Sequence, residues 1–146
     1  MTIQRVTEEN IAQFTELSCL LFPEEDYDLA LQTYKQSFST DREVEFLYQQ
    51  DGKCVGMMHL SVRTDYVNGT NTSPVLYLEA IYVLPGYRNK GIARELIAFS
   101  AEYAKLRGIT QIASDCMTDN HSSEAFHKSC GFREEERVIC FVKDIE

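Results

Sequence analysis

The sequence predicts an α/β fold of the α+β type, a mixed central sheet with helices on both faces. Three observations carry that expectation. Residues 44–50 and 53–63 are strand-length runs joined by Asp51-Gly52, a pair that tolerates positive φ, and together they form a hairpin signature. Residues 75–83 are almost wholly apolar and read as a strand buried on both faces. Beyond them helical and strand-length segments alternate, so a mixed sheet is the economical answer.

The elements follow in order. Residues 3–6 read as a short first strand. Thr7 and Asn10, with Glu8 and Glu9 between them, read as a helix start, and Ile11, Phe14, Leu17, Leu20 and Leu21 recur at helical spacing. Pro23 stops that helix. A second helix is expected over residues 27–38, after the acidic patch Glu24, Glu25, Asp26. Residues 65–74 form a polar loop. A turn over 85–90 leads into an amphipathic helix over 91–107, ended by Gly108. A strand over 109–114, a short helix over 122–130 ended by Gly131, and a last strand over 136–142 complete the chain.

Length and composition bound the function. The chain has 146 residues, which suits one domain spanning residues 1–146. It is 44% hydrophobic and 25% charged, as an ordinary globular protein is. No apolar run approaches the roughly 20 residues that span a bilayer. No secretory signal is visible. Five cysteines at irregular spacing argue against a disulfide framework, so a reducing cytoplasm is expected. Fourteen Lys and Arg against 23 Asp and Glu give a net charge of −9. Such a surface repels nucleic acid and attracts polycations. An acidic surface is also a common solubility device, and charge alone does not separate the two readings.

The segment from Val83 to Ala93 joins the apolar strand to the long helix. Gly91 and Ala93 keep side chains clear of the helix start, where backbone N–H groups can face an anion, and Arg88 and Lys90 add positive charge. Alone, this is also how an ordinary strand–loop–helix junction looks. The string Arg88-x-x-Gly91-x-Ala93, with Pro85 two residues after Val83, resembles the acetyl-coenzyme A signature of the GNAT N-acetyltransferase superfamily. The resemblance covers nearly the whole chain. It implies the GNAT fold, acetyl-coenzyme A as co-substrate and no metal. It places the diphosphate on backbone amides of Asn89, Lys90, Gly91, Ile92, Ala93 and Arg94, beside Arg88. It also implies that Ile81, Tyr82 and Val83 pair with the pantetheine arm as an added strand, and that Asn120 hydrogen-bonds that arm.

A narrower resemblance rests on Asp65-Tyr66-Val67-Asn68-Gly69, Ser73-Pro74-Val75, Leu78-Glu79, Ala113-Ser114-Asp115 and the tail from Gly131-Phe132 to Val138. In order and spacing these are similar to one subgroup of aminoglycoside 6′-N-acetyltransferases. The implied reaction moves acetyl to the 6′-amine of an aminoglycoside by direct attack in a ternary complex.

That chemistry needs a deprotonated amine held against a thioester, a stabilised oxyanion and a leaving thiolate. Glu79 interrupts an apolar strand just before the pantetheine segment, and Asp115 ends the next strand. If those strands are neighbours, both carboxylates converge on the acetyl group and grip the ammonium. The bland reading has Glu79 facing solvent and Asp115 capping a loop. A backbone N–H near Ile81 would meet the oxyanion. His127 stands where most of the superfamily has a tyrosine, and a histidine could protonate the thiolate; packing without a chemical role is the alternative. The resemblance adds Phe22, Glu25, Tyr66 and Glu136 as acceptor contacts. Phe22 replaces a tryptophan of the subgroup and could equally be core. Glu25 and Glu136 each lie in an acidic run that could simply be solvated.

Other readings stay open. The acceptor could be a polyamine or a protein N-terminus, or the chain could bind coenzyme A as a sensor without turnover. Cys116, His121, His127 and Cys130 match no common zinc spacing. Related enzymes commonly pair, and the apolar run from Val138 to Val142 offers either a homodimer contact or an interior strand of the chain's own sheet.

Overall fold

Asp51 and Gly52 both adopt positive φ, 53° and 77°, as a tight two-residue hairpin requires. They join β2 (Glu43–Gln50) to β3 (Lys53–Arg63) in a computed structural model that describes residues 2–146. The sheet also contains β1 (Thr2–Arg5), β4 (Val75–Val83) and β5 (Ile112–Ala113), in the spatial order β1-β2-β3-β4-β5. The first three pairings are antiparallel and β4–β5 is parallel, so the sheet is mixed as expected.

Alternation along β2 assigns the helices to faces. Leu47 packs with Val6, Met57 and Ala80 beneath Ile11, Phe14 and Leu17 of α1 (Ile11–Leu21). Leu31 and Tyr34 of α2 (Tyr27–Gln36) close over the same cluster. Neighbouring Phe46 points the other way and meets Phe99 and Tyr103 of α3 (Ile92–Leu106), with ring centroids 4.8 and 5.6 Å away. Helices therefore cover both faces, the period-2 pattern of the strand deciding which residue serves which.

Several boundaries differ from the sequence expectation. α1 begins only at Ile11. Asn10 Oδ1 accepts from the Thr7 N–H at 2.7 Å and so stabilises the preceding turn, leaving Glu8 and Glu9 outside the helix. α2 is capped by Asp26, whose side chain accepts from the Leu29 N–H, and it passes into a 3₁₀ turn at Ser37–Ser39. The strand expected over 109–114 keeps only Ile112 and Ala113 in its ladder, opposite Leu76 and Tyr77.

The chain forms two compact units, the first ending at Ser114 and the second covering Asp115–Glu146. The second contains α4 (His121–Ser129), capped by Asn120, whose Oδ1 accepts from the Ser123 N–H. The strand expected over 136–142 is corrected: this segment joins no ladder among the described residues. Val138, Ile139, Phe141 and Val142 are 58–93% exposed. Strand-forming side chains alone do not make a strand; its backbone needs an edge to pair with. No helix among the described residues is long and apolar enough to cross a membrane.

Candidate active site

Glu79 is the residue that breaks the apolar pattern of β4, and the ladder explains its position. His59 faces Ala80 and Leu60 faces Leu78, so the register skips Glu79. It is the extra residue of a β-bulge, a device that re-aims a side chain. Its side chain is 26% exposed, and two groups meet it. Ser61 Oγ donates to Oε2 at 2.6 Å, and Arg63 Nη2 lies 2.9 and 2.8 Å from the two carboxylate oxygens. The Arg63 guanidinium in turn lies 3.5 Å over the Tyr77 ring. Sequence reasoning found Glu79 and missed this surrounding group. Its only trace in the sequence was a cation ending β3 two residues after a serine.

Among the described residues, the β4 edge facing β5 is laddered only at Leu76 and Tyr77. The stretch from Leu78 to Val83 carries its β3 partners on one side and no strand on the other. Ile81, Tyr82 and Val83 lie on that open stretch, where an extended ligand can add as a strand.

The loop after β4 is built to expose backbone donors. Pro85–Tyr87 makes a 3₁₀ turn, Asn89 takes φ 62° and Gly91 takes φ 87°. Gly91 caps α3 without any side-chain hydrogen bond, so the N–H groups of Ile92, Ala93 and Arg94 face outward from the first turn. Arg88 is partly committed to the scaffold: its Nε donates to the Val83 carbonyl at 2.7 Å, and its guanidinium lies 5.2 Å over Tyr82. Lys90 and Lys53 each place an ammonium 5.8 Å from the Tyr87 ring. Lys53, on the hairpin, is a cation at this loop that the linear motif did not reveal.

The remaining predicted residues are distributed as follows. Phe22 is half-buried and packs against the α1 cluster. Glu25 is exposed, its N–H donating to the Phe22 carbonyl. Tyr66 is 75% exposed at the mouth of the polar loop, beside Val67, which packs on Val75 and Tyr77. In the second unit Asp115 and Glu136 are exposed. His127 Nδ1 lies 2.7 Å from the Ser123 carbonyl, which can only accept, so the proton sits on Nδ1. Its ring meets Phe132 edge-on at 5.2 Å. Among the described residues, no group of three or more His, Cys, Asp or Glu side chains is arranged to hold a metal ion.

An open sheet edge leading into a helix start capped by glycine is the acyl-coenzyme A framework of one class of acetyltransferase. Residues 6–132 match the Acetyltransferase (GNAT) family, and the chain belongs to it. Within that family it is 40% identical over 146 residues to an aminoglycoside N(6')-acetyltransferase type 1 of Acinetobacter baumannii, covering 99% of each chain. A counterpart from Salmonella enteritidis is 34% identical, with 98% and 99% covered. Among solved structures, the apo aminoglycoside 6'-N-acetyltransferase AAC(6')-IG of Acinetobacter haemolyticus superposes with a TM-score of 0.93 at 36% identity, all of both chains covered. AAC(6')-Iy in complex with the bisubstrate analogue CoA-S-monomethyl-acetylneamine gives 0.94 at 33%, with 99% of this chain and 98% of that one covered.

Proposed function

We propose that this enzyme transfers acetyl from acetyl-coenzyme A to the 6′-amino group of aminoglycosides, by direct attack within a ternary complex in the cytoplasm. The observation that carries the reading is Glu79, a carboxylate turned out of an apolar strand by a bulge beside an open sheet edge. The relatives named above support the acceptor class, and the bisubstrate ligand of one of them supports a direct encounter of the two substrates.

In this reading the pantetheine adds to Ile81, Tyr82 and Val83, and the diphosphate rests on the amides from Asn89 to Arg94. Arg88 and Lys90 supply charge, and Asn120 reaches the coenzyme arm. Glu79 and Asp115 hold the reactive ammonium and accept its proton directly or through water. A backbone N–H near Ile81 meets the oxyanion. His127 can return a proton to the thiolate from Nε2 only as the imidazolium, since Ser123 already holds the proton on Nδ1. Phe22, Glu25, Tyr66 and Glu136 extend the acceptor contacts. The five free thiols fit a reducing compartment. The exposed tail of the second unit supports a homodimer.

A coupled thiol-release assay with kanamycin, tobramycin and spermidine, with products mapped by mass spectrometry, tests the reading. Acetylation at the 6′-amine of the antibiotics is expected. Turnover of spermidine alone would move the acceptor class, and tight coenzyme binding without thiol release would make the chain a sensor.

A further inference from the structure

We propose that Gln111 is a positioning residue for the acceptor: it holds the loop over residues 64–74 in one conformation, so that Tyr66 stands where the aminoglycoside docks. The inference rests on the reading of Tyr66 as an acceptor contact.

Arg63 and Val75 face each other across the β3–β4 ladder, so residues 64–74 form a long connection rather than a tight hairpin turn. A polar loop of that length gives up many conformations when it settles into one. Tyr66 is 75% exposed, so its ring is aimed by its backbone rather than by packing.

The loop is tied down in stages. Ser73 Oγ donates to the Thr64 carbonyl at 3.0 Å and closes the base. The Val67 side chain packs on Val75 and Tyr77, with Ala113 against the same cluster. Thr70 donates twice to the Val67 carbonyl, from its N–H at 3.1 Å and its hydroxyl at 2.6 Å. The next two residues reach out of the hairpin. The Asn71 N–H and the Thr72 hydroxyl both donate to Gln111 Oε1, at 2.9 and 3.0 Å. A backbone N–H can only donate, so the atom that meets it is the amide oxygen.

Gln111 is itself fixed by the sheet. Its carbonyl accepts from the Leu76 N–H at 3.1 Å, and Ile112 and Ala113 follow it as β5, beside Leu76 and Tyr77. The sheet places the amide, and the amide places the loop. From Gln111 the connection runs through Asn71 and Thr70 to the carbonyl of Val67, the neighbour of Tyr66. If the amide oxygen is removed, the loop loses this link and the acceptor must order it on binding. That cost is the same in the ground and transition states, so it raises KM for the acceptor and leaves kcat in place.

The test is a double-mutant cycle read by thiol release with kanamycin. Gln111→Met keeps the length of the side chain and removes the acceptor atom. We expect KM for kanamycin to rise about fivefold, with kcat and KM for acetyl-coenzyme A within about twofold of wild type. In a Tyr66→Ala background the same change should add less than about twofold, because residues that act through one another are not additive. Gln111→Glu still accepts both hydrogen bonds and should return KM to near the wild-type value. Amide exchange at Asn71 should be slow in wild type and Gln111→Glu and fast in Gln111→Met. A recovered KM with fast exchange in Gln111→Glu would credit the added charge and overturn the proposal. So would an unchanged KM in Gln111→Met, a fall in kcat with a rise in KM for both substrates, or a full effect that persists in Tyr66→Ala. Tyr66→Ala alone separates the two levels. A wild-type KM there removes Tyr66 from the acceptor site and takes the inference with it. A raised KM there, with Gln111→Met unchanged, costs only the role of Gln111.

Discussion

Tyr48, fully buried on β2, donates its phenolic proton to the Glu95 carboxylate in the first turn of α3. The same tyrosine's Cβ stands 3.4 Å from the position a Cβ on Gly56 would take, and Ile92 Cγ2 stands equally close. The start of α3 is therefore held to the sheet at two points, by a hydrogen bond and by the packing of Ile92 beside Gly56. This start carries the amides assigned to the diphosphate. A buried phenol in β2 thus fixes a surface loop more than 40 positions later in the chain, because the register of the sheet brings the two together.

The clamp has a pH signature. Hydrogen bonding to Glu95, then burial, then the carboxylate's charge push the Tyr48 phenol up to about 12. A phenol raised above its unfolded value near 10 adds stability that is complete below pH 10 and is lost as pH climbs toward 12. Tyr48→Phe should be less stable at neutral pH by about 1 kcal/mol. Its stability relative to wild type should recover between pH 10 and 12. Guanidinium titrations of both proteins across that range check this, and parallel curves would contradict it.

Glu79→Gln and Asp115→Asn keep shape and remove charge. Each should reduce turnover of aminoglycosides by about a hundredfold or more, a usual share for a positioned acid–base group, while acetyl-coenzyme A affinity stays within about twofold. Calorimetry for the coenzyme and steady-state kinetics for the acceptor read the two effects apart. Wild-type rates in both variants would remove the carboxylates from the mechanism.

Gly91 takes φ 87°, and nothing lies within 4 Å of an added Cβ. The cost of a side chain there is therefore conformational, about 1–2 kcal/mol for an ordinary residue in the left-handed region. Gly91→Val should weaken acetyl-coenzyme A binding by about tenfold or more as the first-turn amides are re-aimed. Gly91→Asn, which tolerates this conformation, should lose less. Equal affinities in calorimetry for the wild type and both variants would argue against the loop as the coenzyme site.

What the sequence disclosed follows from which interactions are local. The Asp51-Gly52 turn, the strand carrying Glu79 and the glycine-capped helix start at Gly91 are each specified by neighbouring residues, and each was legible. The bulge at Glu79 was not, because it is a mismatch between two strands and exists only in their register. Arg63, Ser61 and Tyr77 were hidden for the same reason, as was Lys53 beside the coenzyme loop. The expected strand over 136–142 failed in the opposite way. Its residues favour β structure, but a ladder also needs a second edge, and propensity says nothing about whether one is present.

Glu45 offers a test inside the core of the first unit. It is 3% exposed on β2, and burial pushes its carboxyl up, opposed by His59 and by the Ser37 hydroxyl at 2.9 Å. Glu43 adds to the upward shift and Arg5 opposes it. Among the described residues Oε1 has no hydrogen-bond partner, and His59 Nε2 lies 3.7 Å from it. A carboxyl raised above its unfolded value is favoured in its neutral form, so its contribution is present at low pH and is lost as pH rises through the folded value. Glu45→Gln should match wild type near pH 4 and gain on it as pH rises to 8. Chemical denaturation at intervals across that range reads the difference, and a gap that shrinks with pH would mean the His59 pairing outweighs burial.

The tail makes the last prediction. Five large apolar side chains, Val138, Ile139, Phe141, Val142 and Ile145, are between 58 and 94% exposed within eight residues. A contiguous apolar run of this kind with unpaired backbone is an association site or an aggregation hazard. A second copy is the partner always present at matching concentration, and a two-fold pairing lets the same segment serve both sides. The protein should therefore behave in light scattering at micromolar concentration as a particle of twice 16.8 kDa. Replacing Ile139 and Phe141 by lysine should yield a single chain, because two desolvated ammonium groups at a symmetric contact become four. A wild-type particle of 16.8 kDa would end the dimer outright.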